Sequence, residues 1–336
     1  MLKEIEIQNF RCFEQIKISG FERVNLIGGK NNAGKTVLLE ALFLNVVPDA
    51  GSLAMLRELR REPSKAIEAM PDRIWDNLFY GLKKERTILI IGTDDNNNTD
   101  RLGITLDSNS LKHIILLEFI RNEDLSTAFF TEVSAKRLTT YELFPNNNEV
   151  PIIPCFNKTS GNELTQAYDR ARLDDKDSEV LKAFQVLDSS IESVESFSIG
   201  EPTLYLRRKG EQRLPLSLFG DAINRVAEII LKLVNNKYKI LLIDEIENGI
   251  HHTSQPEFWR VLFRLAVELD TQIFATTHSL EMLEAFAEVG LEQTKECSSA
   301  YFELARKLKT NQIIGIRRDL ETLNYALEHQ KGVRGE

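Results

Sequence analysis

The chain begins with hydrophobic patterns that predict strands and then a helix. Residues 2–10 alternate apolar and charged side chains, and two further short strands are predicted over residues 13–19 and 23–27. From Lys35 to about residue 44 the apolar side chains recur at near-helical spacing. A strand, a glycine-rich loop and a helix in this order are the first unit of an α/β fold.

The middle of the chain changes pattern several times. Short β-rich runs separated by turn clusters fill residues 86–133, which predicts an antiparallel meander. Residues 144–161 are loop-rich and suit a boundary between regions. A helical segment over residues 164–187 and another short β section over 196–208 follow.

The last third returns to α/β order. Helices are predicted over residues 221–234 and 255–268 and from Leu280 onward, and strands over 240–243 and 272–276. The strand over 240–243 is wholly apolar, as expected for a parallel strand buried on both faces. We therefore expect a doubly covered parallel sheet here.

Composition limits the class of protein. The 336 residues are 42% hydrophobic and carry a formal net charge of −9, which is ordinary for a globular chain. The charge disfavours a chain wrapped in nucleic acid, although a local basic patch is still compatible with DNA binding. No apolar run approaches the length that spans a bilayer, and three widely spaced cysteines suit a reducing compartment, so we expect a cytoplasmic protein without a membrane partner.

The strongest motif follows the third predicted strand. Residues 29–36 satisfy G-x-x-x-x-G-K-[ST], between a strand and a helix, which is the context that a phosphate loop requires. Backbone N–H groups and the helix N-terminus would face nucleotide phosphates, Lys35 would meet the β- and γ-phosphates, and Thr36 would ligate Mg²⁺. The predicted nucleotide-binding residues in this segment are Gly29, Lys30, Asn31, Asn32, Ala33, Gly34, Lys35, Thr36 and Val37.

Two carboxylates follow the apolar strand over 240–243. Asp244 and Glu245 would emerge at the carboxyl edge of a parallel sheet, where ligands bind in such folds. We expect Asp244 to hold Mg²⁺ and Glu245 to polarise the attacking water. An Asp-Glu pair at a strand end is also a common loop start, so the assignment depends on its pairing with the phosphate loop.

Histidines supply the next candidates. His278 follows the predicted strand over 272–276 and would reach the γ-phosphate or the attacking water at the same edge. His251 and His252 are adjacent, but they lack the spacing and partners of a metal site, so a solvated or interface position is expected for both.

The order of phosphate loop, long insertion, Ile-Asp-Glu and Thr-His-Ser resembles ATP-binding-cassette ATPases of the SMC-, RecF- and OLD-like branch. Asn9-Phe10-Arg11-Cys12-Phe13 resembles the opening element of that branch, which implies that Arg11 lies near the phosphates. A surface cation between two core phenylalanines is the alternative for Arg11.

The same resemblance implies a signature motif ahead of the helix over 221–234. Ser217, Gly220 and Asp221 occupy that place, and in the family this motif contacts the nucleotide of a second subunit in a head-to-tail dimer. Phe219 stands where a small residue is usual, and the Gly-Asp pair resembles the OLD-like form. Asp221 as a plain helix N-cap is compatible with either interpretation.

The resemblance implies one ABC-type P-loop ATPase domain with a parallel core sheet, an antiparallel β lobe and a helical insertion. Residues 1–47 and about 196–336 would form it, with an inserted β/helical region over about 48–195. Only 58 residues follow His278 (336 − 278 = 58), too few for the TOPRIM nuclease domain of full-length OLD proteins, so a stand-alone OLD-like ATPase with a separate effector is expected.

The implied function is an ATPase that dimerises, or forms a larger oligomer, around ATP and Mg²⁺ and switches a nuclease or toxin, in anti-phage defence. Two alternatives remain: a RecF-like DNA repair ATPase, and a nucleotide-sensing scaffold with little hydrolysis. Glu245 argues against the scaffold because the predicted base is intact.

Overall fold

The computed structural model describes residues 1–60, 73, 75–107, 114–122, 124–133, 150–155, 159–293 and 295–329. Its strands, in chain order, are β1 (Leu2–Phe10), β2 (Phe13–Ser19), β3 (Val24–Gly29), β4 (Ile88–Asp94), β5 (Thr99–Leu106), β6 (Ile115–Arg121), β7 (Asp124–Val133), β8 (Ile152–Ile153), β9 (Ile191–Phe197), β10 (Thr203–Arg208), β11 (Leu214–Pro215), β12 (Ile240–Ile243), β13 (Gln272–Thr276), β14 (Ser299–Arg306) and β15 (Ile313–Arg318). Its α-helices are α1 (Lys35–Val46), α2 (Ala50–Glu58), α3 (Gly161–Leu173), α4 (Asp177–Leu187), α5 (Asp221–Val234), α6 (Gln255–Glu268), α7 (Leu280–Glu292) and α8 (Leu320–Glu328).

The core sheet has the strand order β15-β14-β3-β13-β12-β8. Strands β14, β3, β13, β12 and β8 are parallel neighbours, and β15 pairs antiparallel with β14 at one edge. Because parallel strands end at the same edge, the loops after β3, β12, β13 and β14 leave the sheet together.

Both faces of the core sheet are covered. Leu241 and Ile243 of β12 pack with α5, α6 and α7, whereas Leu242 between them packs with α1 and the antiparallel sheet. Burial on both faces explains why β12 is apolar at every position.

The predicted antiparallel lobe is confirmed and is larger than the sequence indicated. It is a six-stranded sheet with the order β2-β1-β4-β5-β6-β7, so the first two strands of the chain join the meander. A third sheet, β11-β10-β9, accompanies α3 and α4. The α/β fold with a parallel core sheet and an antiparallel lobe is therefore confirmed.

Some boundaries differ from the predictions. The helical segment over 164–187 is two helices, α3 and α4, separated by a turn in which Asp175 has φ 57°. The loop-rich passage over 144–161 contains β8, which is a strand of the core sheet, and residues 134–149 and 156–158 lie outside the described residues. Three elements were not predicted from the sequence: β14, β15 and α8. Among the described residues, no helix is both long and apolar enough to cross a bilayer.

Candidate functional site

The phosphate loop is a tight turn that only particular residues fit. It leaves β3 at Gly29 and enters α1 at Lys35, with Gly34 as the residue before the helix at φ 94°. A Cβ on Gly29 would stand 2.4 Å from the carbonyl oxygen of Leu304, and one on Gly34 would stand 2.9 Å from the ring of Phe13. Positive φ and close packing together require glycine at both positions.

Lys35 is buried inside this turn. Its Nζ donates to the carbonyl oxygens of Gly29, at 2.7 Å, and Lys30, at 3.0 Å. Burial lowers the pKa of Lys35 to about 8, against the opposing effect of Asp244 and the neighbouring carboxylates. The lysine thus sits beneath the loop, with its ammonium bound to loop carbonyls.

Asp244 joins the phosphate loop to the neighbouring strands. Thr36 Oγ1 lies 3.2 and 3.1 Å from the two oxygens of the Asp244 carboxylate, and Thr276 Oγ1 lies 2.6 Å from Oδ1. Burial raises the pKa of Asp244, whereas the hydrogen bonds from the two threonines oppose that rise. The hydroxyl and the carboxylate are oxygen donors of the kind that Mg²⁺ prefers.

Glu245 occupies a strained backbone position next to Asp244. Its φ is 47°, in the left-handed region, and its N–H donates to Thr276 Oγ1 at 2.8 Å. Its Oε1 lies 3.7 Å from His278 Nε2, while the backbone N–H of His278 donates to Glu247 at 2.6 Å. The structure therefore brings the predicted base and histidine together at one edge of the core sheet.

An open cleft of about 1100 Å³ lies above these residues. It is lined by Arg11, Cys12, Asn31, Asn32, Ala33, Gly34, Lys35, Thr36, Val37, Arg60, Asn77, Glu245, His278 and Arg306. Of the predicted site residues, Arg11, residues 31–37, Glu245 and His278 thus share one cavity, whereas Gly29, Lys30 and Asp244 are not in its lining.

The comparisons with known proteins concern the sequence ranges matched and the overall fold. Residues 1–140 match the family model "AAA ATPase domain", and residues 156–284 match "AAA domain, putative AbiEii toxin, Type IV TA system". An SMC head bound to the C-terminal winged-helix domain of ScpA superimposes with a TM-score of 0.53 and 10% identity, covering 96% of this chain and 98% of that one. The chain has an SMC-head-like P-loop ATPase fold.

Other relatives share the sequence to different extents. An "ATP/GTP phosphatase" of Helicobacter pylori is 26% identical over an alignment of 394 positions that covers 100% of both chains. The DNA replication and repair protein RecF of Bacillus thuringiensis is 35% identical over 60 residues, 18% of this chain and 16% of RecF. An SMC head of Pyrococcus furiosus, bound to the C-terminal domain of ScpA, gives a TM-score of 0.50 at 9% identity and covers 98% of this chain and 99% of that one.

Arg11 lines the cleft and forms a buried ion pair with Glu40. Its Nε lies 2.6 Å from the carboxylate of Glu40, which is completely buried in α1. Arg60 Nε approaches the same carboxylate at 2.7 Å. Glu40 therefore holds two arginines at the wall of the cleft, of which only Arg11 was predicted from the sequence.

Arg306 is a second cation of the cleft, after Arg60, that was not predicted from the sequence. It stands at the end of β14 and donates to the carbonyl oxygen of Asn32 in the phosphate loop at 3.2 Å. Its other terminal nitrogen donates to Asn311 at 3.2 Å. The side chains from Ala300 to Leu304 are all buried, so β14 shows no alternation, and its parallel pairing with β3 is what places the strand beside the site.

The predicted signature residues lie elsewhere. Ser217 and Gly220 are exposed and do not line the cleft of their own chain, and Gly220 has φ 88° with open space where a Cβ would stand. Asp221 begins α5, and its side chain lies outside the described residues. His251 and His252 are exposed, and within the described part of the chain no group of three or more His, Cys, Asp or Glu side chains suits a metal ion.

Proposed function

We propose that the protein binds ATP with Mg²⁺ in this cleft and hydrolyses it to ADP and phosphate. The observation that carries the proposal is the convergence of Lys35, Thr36, Asp244, Glu245 and His278 at the carboxyl edge of one parallel sheet. Phosphoryl transfer needs mainly positioning and charge stabilisation, and these residues supply both.

Each residue has a role that its surroundings support. Lys35 and the backbone N–H groups of the loop would bind the phosphates, and Thr36 and Asp244 would hold Mg²⁺, which screens phosphate charge when bound. Glu245 would take a proton from water as the water oxygen bonds to the γ-phosphorus and the bond to the leaving ADP oxygen breaks. His278 lies beside Glu245 and would hydrogen-bond to the same water or phosphate.

A second copy of the chain would complete the site. Ser217 and Gly220 are exposed and absent from their own cleft, as a motif that acts on a partner's nucleotide would be. Leu218 between them is 68% exposed, which provides apolar surface for that contact. These features support a head-to-tail dimer around ATP.

The proposed biological role is that of an OLD-like ATPase that switches a separate nuclease or toxin, in defence against phage. The family description that includes "AbiEii toxin, Type IV TA system" supports a toxin-linked setting. Glu245 is present beside His278, which favours an ATPase that turns over ATP rather than a scaffold that only senses nucleotide.

DNA repair is the second candidate, because the short match to RecF favours it. Measuring ATP turnover with and without double-stranded DNA distinguishes the effector-switching role from the RecF-like role. Turnover that DNA does not change supports the effector-switching role, whereas strong stimulation by DNA supports the RecF-like role. No turnover under either condition contradicts the proposed hydrolysis.

A further inference from the structure

Asn248 contacts the carboxylate of Glu245 directly. It lies three residues further along the chain, and its Nδ2 is 3.0 Å from Glu245 Oε2. The same nitrogen is 3.1 Å from the backbone carbonyl oxygen of Cys155. The two amide hydrogens of Asn248 thus serve two acceptors, one on the predicted base and one on the main chain.

The main-chain acceptor belongs to a fixed part of the molecule. Cys155 follows β8, which pairs with β12 in the core sheet. Arg225 of α5 donates to the neighbouring carbonyl of Pro154, at 3.2 Å, and to the carbonyl of Asp244, at 3.1 Å. The amide of Asn248 is therefore anchored to backbone that buried hydrogen bonds hold in place.

The contact distinguishes the two oxygens of Glu245. Oε2 accepts from Asn248, and Oε1 lies towards His278, whose Nε2 is 3.7 Å away. Glu245 is half-buried and lines the cleft, and the N–H bond to Thr276 fixes its backbone but leaves its side-chain torsions free. Within the described part of the chain, the hydrogen bond from Asn248 limits rotation of the carboxylate on the side away from His278.

We propose that Asn248 is a positioning residue that holds the Glu245 carboxylate with Oε1 directed to the water that attacks ATP. The inference rests on the proposed hydrolysis and names a residue that this reaction requires. Removal of the amide leaves nucleotide binding intact, because Asn248 does not line the cleft. Turnover falls, because a general base that is free to rotate spends less time in the reactive geometry.

The test compares Asn248→Ala with Asn236→Ala. Asn236 is also half-buried and also donates to a backbone carbonyl, that of Ile240 at 2.9 Å, but its side-chain hydrogen-bond partners among the described residues are Ile240 and Tyr238 rather than Glu245. We expect kcat for ATP to fall about 10-fold or more in Asn248→Ala with the Kd for ATP unchanged. Asn236→Ala should keep the wild-type kcat.

A double variant separates positioning from general loosening of the fold. If Asn248 acts through Glu245, adding Asn248→Ala to Glu245→Gln should not lower the residual turnover further, which single-turnover phosphate release can measure. If Asn248→Ala lowers turnover by the same factor in the wild type and in Glu245→Gln, the inference is overturned. A wild-type kcat in Asn248→Ala also overturns it.

Two further measurements keep the test decisive. Asn248→Asp preserves the shape but has no amide to donate, so it should lower kcat as Asn248→Ala does, and the melting temperature of each variant reports whether it folds. If the wild type hydrolyses ATP and Asn248→Asp has the same kcat, the result overturns this inference and leaves the proposed hydrolysis standing. A wild type without turnover overturns the proposed hydrolysis, and the inference with it.

Discussion

The hydroxyl of Thr36 lies 3.1 Å from the carboxylate of Asp244, although 208 positions separate the two residues in the chain. Because β3 and β12 are both parallel strands next to β13, the loops at their ends converge on one point. The first residue after β12 therefore meets the first turn of α1. This contact defines the predicted magnesium site.

Removing the Thr36 hydroxyl should raise the Mg²⁺ concentration that turnover requires. We expect Thr36→Ala to raise the Mg²⁺ concentration for half-maximal turnover by about 10- to 100-fold, because one ligand is lost from the predicted site. A titration of turnover against Mg²⁺ measures this shift. Thr322→Ala is the control, because Thr322 also donates its hydroxyl to an aspartate, Asp319, but at the exposed start of α8. Equal Mg²⁺ requirements in both variants would remove Thr36 from the site.

Lys35 should dominate nucleotide affinity. Its charged hydrogen bonds to phosphate are worth about 2–3 kcal/mol, so Lys35→Ala should raise the Kd for ATP by roughly 100-fold. Lys182→Ala removes an exposed lysine of α4 that pairs with Glu179 and should leave the Kd unchanged. Calorimetric titration with ATP gives both values. Retained affinity in Lys35→Ala contradicts the phosphate-loop assignment.

The buried Lys35 also predicts a dependence of ATP affinity on pH. In the nucleotide-free protein its pKa is lowered to about 8, and bound phosphates would favour the charged form. Above that pKa the free protein has lost the proton and binding must take one up, so affinity should fall as pH rises from about 8. Binding curves between about pH 7 and 9.5 test this against the Lys35→Ala variant, in which the decline should be absent.

Arg306 should contribute to nucleotide binding through both its charge and its hold on the phosphate loop. We expect Arg306→Ala to weaken ATP binding about 10-fold, the size of one charge-assisted hydrogen bond. Arg317 is a suitable control, because it is exposed on β15 and pairs with Glu22 away from the cleft. Fluorescence titration with a labelled ATP would show the difference, and equal affinities for Arg306→Ala and Arg317→Ala would exclude the contribution.

Gly34 should tolerate a methyl group less well than a glycine in open space does. Gly210→Ala, at φ 75° with no atom within 4 Å of the added Cβ, should cost about 1 kcal/mol from the left-handed backbone alone. Gly34→Ala adds a contact of 2.9 Å with the ring of Phe13 and should lower the free energy of unfolding further. Urea denaturation of the two variants compares the losses, and equal losses would show that the Phe13 contact carries no cost.

The local elements of the site were predictable because their signals are short-range. The bounds predicted for α5, α6, β12 and β13 agree with the structure, since apolar periodicity and Asp, Gly or Pro at the ends define them. Residues 30–34 form the turn between β3 and α1 that the glycine spacing predicted.

The missed features depend on contacts between distant segments. β8 has only two residues, so its place in the core sheet comes from pairing with β12 rather than from its own pattern. Arg306 reaches the site from the end of β14, and Arg60 is held there by its ion pair with buried Glu40. Asn248 contacts Glu245 and also donates to the carbonyl oxygen of Cys155. Such tertiary contacts leave no periodic signal in the sequence.

The most direct test of the account measures the turnover and the mass of two proteins, wild type and Glu245→Gln, with and without ATP. Glutamine cannot accept the proton from water, so this variant should bind ATP without completing hydrolysis. The wild type should hydrolyse ATP, and light scattering should show that Glu245→Gln doubles its mass when ATP is added. Unchanged turnover in Glu245→Gln, with one mass under all conditions, would contradict both the role of Glu245 and the ATP-dependent dimer.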